Sequence, residues 1–141
     1  MNHITSPRTD DSAIEQEIQA KGKTAPRVTP ADIEANIASE HYFVAADGVA
    51  GEASLRTGMV VIGDTQPPAA LSLLTFCVLV LRNGFTVTGE SACASPENFD
   101  AEIGKKIARQ NAVQKMWPLM GYELKQRLHC YAQVPSQAPA A

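Results

Sequence analysis

Apolar and β-branched residues concentrate on both sides of Asn83-Gly84. LTFCVLVLR (74–82) precedes the pair and FTVTGE (85–90) follows it. Asn-Gly between two β-rich runs is a strong short-range signal for a hairpin, because a type I′ turn needs positive φ at both central residues. The pattern predicts a β-hairpin over 76–90; a helix over 69–82 capped by Asn83-Gly84 is the competing reading. A two-residue turn sets Arg82 opposite Phe85, Val80 opposite Val87 and Val78 opposite Gly89. Phe76, Val78, Val80, Phe85 and Val87 then form the core face. Cys77, Leu79 and Leu81 share the other face with Thr86, Thr88 and Glu90, which awaits a covering helix or a second subunit.

Helical patterns flank the hairpin. Ser12 to Ala20 suits a short helix stopped by Gly22, and Thr24 to Pro30 reads as an extended linker. Thr29 suits an N-cap, Pro30 the first helical position and Asp32 the acid of a capping box. Ile33, Ile37 and Val44 share one side of a helix expected to run to Ala46. Residues 47–58 are Gly-rich and read as loop, and Met59 to Ile62 as a short candidate third strand. Ser95-Pro96-Glu97 opens a long helix expected to stop at Trp117, before Pro118. At about 100° per residue, Phe99, Ile103, Ile107, Val113 and Trp117 form a large-residue side suited to the hairpin. Ala101, Gly104, Ala108 and Ala112 form a small-residue side suited to another helix, from the same chain or a neighbour. Leu119 to Leu128 would form a second short helix. The expected class is therefore α+β: an N-terminal helix, a central hairpin and a C-terminal helix pair. One domain over 29–131 is expected, between a flexible arm (1–28) and a disordered tail (132–141).

Bulk properties narrow the chemistry. A chain of 141 residues with 45% apolar and 19% charged residues can bury a core without metal or disulfide help. Residues 29–100 carry Arg56 and Arg82 against nine acids, and residues 101–141 carry six basic residues against two acids. Such asymmetry favours internal charge pairing or self-association, and the acidic body opposes nucleic-acid binding. Cys77, Cys93 and Cys130 form no CxxC pair, so neither a zinc site nor a disulfide framework is expected, which suits a reducing cytosol. No leader and no membrane-length apolar run is evident.

Two runs resemble a known family: LTFCVLVLRNGFTVTGESACASPENFDAEIGKKIARQNAVQKMWPLMGYELKQRL (74–128) and TAPRVTPADIEANIASEHYF (24–43). They are similar to the phage family named after gene products forty-nine and sixty-six. The resemblance implies a phage or prophage origin, action in the bacterial host cytoplasm and an accessory role. It transfers no catalytic residue and implies no cofactor.

Gly89-Glu90-Ser91-Ala92-Cys93 lacks the second glycine of a nucleophile elbow. Glu97, Asp100 and Glu102 are acids of the kind a helix start favours. The best ligand-binding constellation is the junction between hairpin and helix: Glu90, Ser91, Ser95 and Asn98, with Lys105, Lys106 and Arg109 further along. Leu79, Leu81, Ala101, Gly104, Ala108 and Ala112 are the candidate interface residues. These features favour a non-catalytic protein that binds a host component, such as an element of antiviral defence. A homo-oligomeric sponge for a host signalling nucleotide is the alternative, and a nucleic-acid-associated replication accessory protein the third reading.

Overall fold

A computed structural model describes residues 11–58 and 66–135. The expected strand at Met59–Ile62 and the end of the expected tail lie outside the described residues. The chain forms two compact units, one spanning Asn36–Met116 and one combining Met1–Ala35 with Trp117–Ala141.

The unit spanning Asn36–Met116 is built on a three-stranded antiparallel sheet. Strand β1 (Ile37–Val44) pairs with β2 (Leu74–Leu81), which pairs with β3 (Thr86–Ala92). The hairpin is present, with its register one residue away from expectation. Leu79 stands opposite Val87 and Cys77 opposite Gly89. The reason lies in the turn. Gly84 has φ +85° and, among the described residues, no non-glycine residue, Asn83 included, has positive φ. Gly84 N–H donates to the Leu81 carbonyl (2.9 Å), and Leu81 N–H donates to the Phe85 carbonyl (2.8 Å). This is a three-residue connection, Arg82-Asn83-Gly84, with the glycine in the left-handed position of a bulge. The Asn83 side chain accepts the Phe85 N–H (3.0 Å).

Shifting a register by one residue exchanges the two faces of a strand. Cys77 and Leu79 are fully buried, Leu81 and Val87 nearly so, while Phe76, Val78 and Val80 are half-buried. The β2 part of the expected core face (Phe76, Val78, Val80) is thus the open one and Phe85 is 55% exposed, whereas Val87 is core as expected, joined there by Leu79 and Leu81.

Helix α4 (Ala101–Ala132) covers the core face with its small-residue side. Gly104, Ala108, Ala112 and Met116 are buried, whereas Ile103 and Ile107 are 50% and 41% exposed. Gly89 explains the choice. A Cβ there would overlap Ala108 O and Ala112 N and lie 2.9 Å from Ala112 Cα. The helix backbone rests directly on the strand, and only small residues permit that approach. The covering element proposed for this face is therefore a helix of the same chain.

The region read as one helix over 29–46 divides. Its start is as expected in α2 (Pro30–Asn36). The Thr29 hydroxyl accepts the Asp32 N–H (3.1 Å), and an Asp32 carboxylate oxygen accepts the Thr29 N–H (2.9 Å). The Thr29 N–H foremost, and then the Thr29 hydroxyl, which donates to the same carboxylate oxygen (2.9 Å), hold the Asp32 carboxyl below its ordinary range. After Asn36 the chain becomes β1, whose end, Tyr42-Phe43-Val44, is rich in strand formers. Between Ile37 and Ser39 a bulge sets Ile37 opposite Leu81 and Ser39 opposite Val80.

Residues read as loop form α3 (Ala45–Thr57), closed by Gly58 in the left-handed region with its N–H on the Ser54 carbonyl. Gly48 and Gly51 weaken the helix locally, but Gly48 lies against the Phe43 ring, 3.2 Å from where its Cβ would stand.

Two further boundaries differ from expectation. Ser95 precedes a short 3-10 turn, Pro96–Asn98, and α4 begins later, capped by the Asp100 carboxylate on Ile103 N–H (3.0 Å). Pro118 lies inside α4 rather than ending it. A proline removes one helical hydrogen bond, and strong helix formers on both sides carry the helix past it.

In the other unit, α1 (Asp11–Ala20) ends at Gly22 as expected. Gly22 N–H donates to Gln19 O and Lys23 N–H to Ile18 O, a Schellman closure. Arg27 grips Glu15 with both terminal guanidinium nitrogens, at 2.5 and 2.7 Å.

Candidate functional site

Three surfaces of the sheet unit carry chemistry. The first is the junction singled out from sequence. Thr75 and Ser91 are cross-strand partners on the α4 side, and Cys93 N–H extends the pairing to the Leu73 carbonyl (2.9 Å). Together with Asn98 and Phe99 from the connecting segment and Gly104 from α4, they line a cavity of about 120 Å³. Thr75 is 3% exposed, and its hydroxyl has no hydrogen-bond partner. The Cys93 thiol donates to the Ser95 carbonyl (3.1 Å).

Ser91 and Asn98 therefore share one site, and Ser95 touches it through Cys93. The other expected residues do not line it. Glu90 turns to the outer edge of β3, where Lys115 Nζ lies 3.9 Å from its carboxylate. Arg109 donates to the Glu40 carboxylate at 2.9 Å, and Lys105 lies 3.8 Å from Glu102. Lys106 is exposed. Of the expected interface residues, Leu79, Leu81, Gly104, Ala108 and Ala112 are buried within the unit and Ala101 is exposed.

The second surface is a polar cluster beneath α4. Glu40 accepts from Arg109 and also from the Tyr42 hydroxyl (3.2 Å). Burial pushes the Tyr42 hydroxyl up to about 12 and raises the Cys77 thiol, the nearby phenol partly offsetting the latter. A raised thiol stays protonated and is a poor nucleophile. The cluster ties helix to strand.

The third is the open face of the sheet. Phe43 and Phe76 are cross-strand partners whose rings stack with centroids 5.5 Å apart. Val78 and Val80 continue this apolar stripe. His41, Ser39, Thr86, Thr88 and Glu90 border it with hydrogen-bonding groups, and Ser39 Oγ lies 3.1 Å from His41 Nε2. Phe43 is 41% exposed.

Sequence reasoning missed Thr75, Glu40, Tyr42 and the outward role of Phe43 and Phe76. Alternation along 74–82 contained the signal for Thr75 and Phe76; the wrong turn length assigned it to the wrong face. Glu40 and Tyr42 were hidden within a strand read as helix.

Among the described residues no group of three or more His, Cys, Asp and Glu side chains could hold a metal ion, and no helix is long and apolar enough to cross a membrane. No curated protein and no solved structure matches the chain. The whole sheet unit, with its cavity and both faces, falls within residues 28–128, the stretch matched by one family model, and the chain belongs to the Phage protein (N4 Gp49/phage Sf6 gene 66) family.

Proposed function

We propose that this is a non-catalytic phage accessory protein that acts in the host cytoplasm by binding a host protein, with an antiviral defence component as the target. The observation that carries this reading is the Phe43–Phe76 stack on the open sheet face. An apolar centre bordered by hydrogen-bonding residues has the composition of a protein interface, and aromatic residues dominate the energy of such interfaces. A phage protein made inside a bacterium meets host proteins as its most abundant partners.

The test is affinity capture from infected cells with the wild-type chain, Phe43→Glu and Ile103→Glu. Ile103 lies on α4, away from the open face. The proposal expects a stoichiometric host protein with wild type and Ile103→Glu, lost with Phe43→Glu while the folded far-ultraviolet spectrum persists. Retention of the partner by Phe43→Glu overturns it. So does a wild-type dimer that Phe43→Glu converts to a monomer with no host protein bound, because the face would then serve self-association.

A further inference from the structure

We propose that the cavity between the end of β3 and the start of α4 is a binding site for a small uncharged molecule, an amide or hydroxyl on a short apolar body. Its floor is the Thr75–Ser91 cross-strand pair. The Thr75 hydroxyl is buried without a partner, and leaving a buried donor and acceptor unpaired is costly. Gly104 stands over that hydroxyl. A Cβ on Gly104 would lie 3.0 Å from Thr75 Oγ1, so the missing side chain keeps this part of the wall open.

The remaining lining divides into polar and apolar parts. Ser91 and Asn98 add hydrogen-bonding side chains beside Thr75, while Leu73, Phe99 and Ile107 supply apolar wall. Among the described residues no lysine or arginine lines the cavity, and its carboxylate, Asp100, already accepts the Ile103 N–H. An anion would meet Asp100 without a compensating cation, and a cation would compete with the helix cap for one carboxylate. A neutral ligand meets neither penalty. The volume, about 120 Å³, is below the roughly 150 Å³ of a cavity that admits benzene. That limits the occupant to about five heavy atoms. The site lies on the face of the sheet opposite Phe43 and is independent of the proposed host contact.

The experiment is a nitrogen-15 chemical-shift titration of the full chain with propanamide, propanoate and propylammonium, three probes of similar size and different charge. Saturable shifts at the Ser91, Ile103 and Gly104 amides are expected with propanamide, with affinity at least about tenfold above either charged probe. Thr75→Val should keep the fold, since it removes an unpaired hydroxyl at similar volume, and should weaken propanamide at least about fivefold. Phe43→Glu should leave the titration unchanged. Absence of saturation with all three probes, meaning that the cavity holds water only, overturns the proposal. Equal affinity for propanoate, or a Thr75→Val variant that binds propanamide as wild type does, also overturns it.

Discussion

Gly89 of β3 faces Ala108 of α4 so closely that a Cβ on the glycine would overlap the Ala108 carbonyl oxygen. This one approach sets the side of the hairpin that is core and the side of the helix that meets it. Gly89→Ala should therefore cost more than about 3 kcal/mol, since backbone on both sides must move and overpacking a tight site commonly costs about 1–3 kcal/mol. Urea denaturation measures it. Gly104→Ala is the informative comparison. There the neighbour is the Thr75 side chain at 3.0 Å, and alanine gains up to about 1 kcal/mol of helix propensity. Its net change should stay within about 1 kcal/mol of zero.

The exchanged faces make a second prediction. Leu79→Ala should destabilise by about 2–5 kcal/mol, the range for large-to-small changes in a core, because Leu79 is fully buried. Val80→Ala, one residue along on the open face, should cost about 1 kcal/mol or less. Equal losses in thermal or chemical melts would contradict the observed register.

Two α4 side chains guard the outer edge of β3. Asn111 Nδ2 donates to the Glu90 carbonyl and Lys115 Nζ to the Thr88 carbonyl, both at 2.6 Å. Unpaired strand edges template association with other chains. The double variant Asn111→Ala/Lys115→Ala should lose about 1–3 kcal/mol and show concentration-dependent self-association by light scattering. A monodisperse variant of unchanged stability would remove this role.

The Arg27–Glu15 pair predicts a pH dependence. Hydrogen bonding from Arg27, supported by Gln19, lowers the Glu15 carboxyl from 4.5 to about 2. A depressed folded-state value means that the stabilisation is present above pH 4.5 and is lost as the pH falls towards 2. Carbon-13 titration of the Glu15 carboxyl should show a midpoint near 2, moving towards 4.5 in Arg27→Gln. A wild-type midpoint already near 4.5 would contradict the bidentate pairing in solution.

The features legible in the sequence rest on residues within about four positions of one another. The Thr29-Pro30-Asp32 capping box, the stop at Gly22 and the existence of a turn at Asn83-Gly84 are local hydrogen-bond and φ requirements, met by those residues wherever the chain lies. The α+β class and the Ser91–Asn98 half of the cavity follow from them. Tertiary structure decided the rest. Val78 and Leu79 are equally apolar, so alternation could not say which of them faces inward. That depended on one residue of turn length and on Gly89, the one place where a helix backbone can sit against β3. Ile37 to Val44 suits either period, and becomes a strand because β2 has a second edge whose N–H and C=O groups need partners. Thr75 acquired its buried, unpaired hydroxyl in the same way, once Gly104 of a distant helix was laid over it.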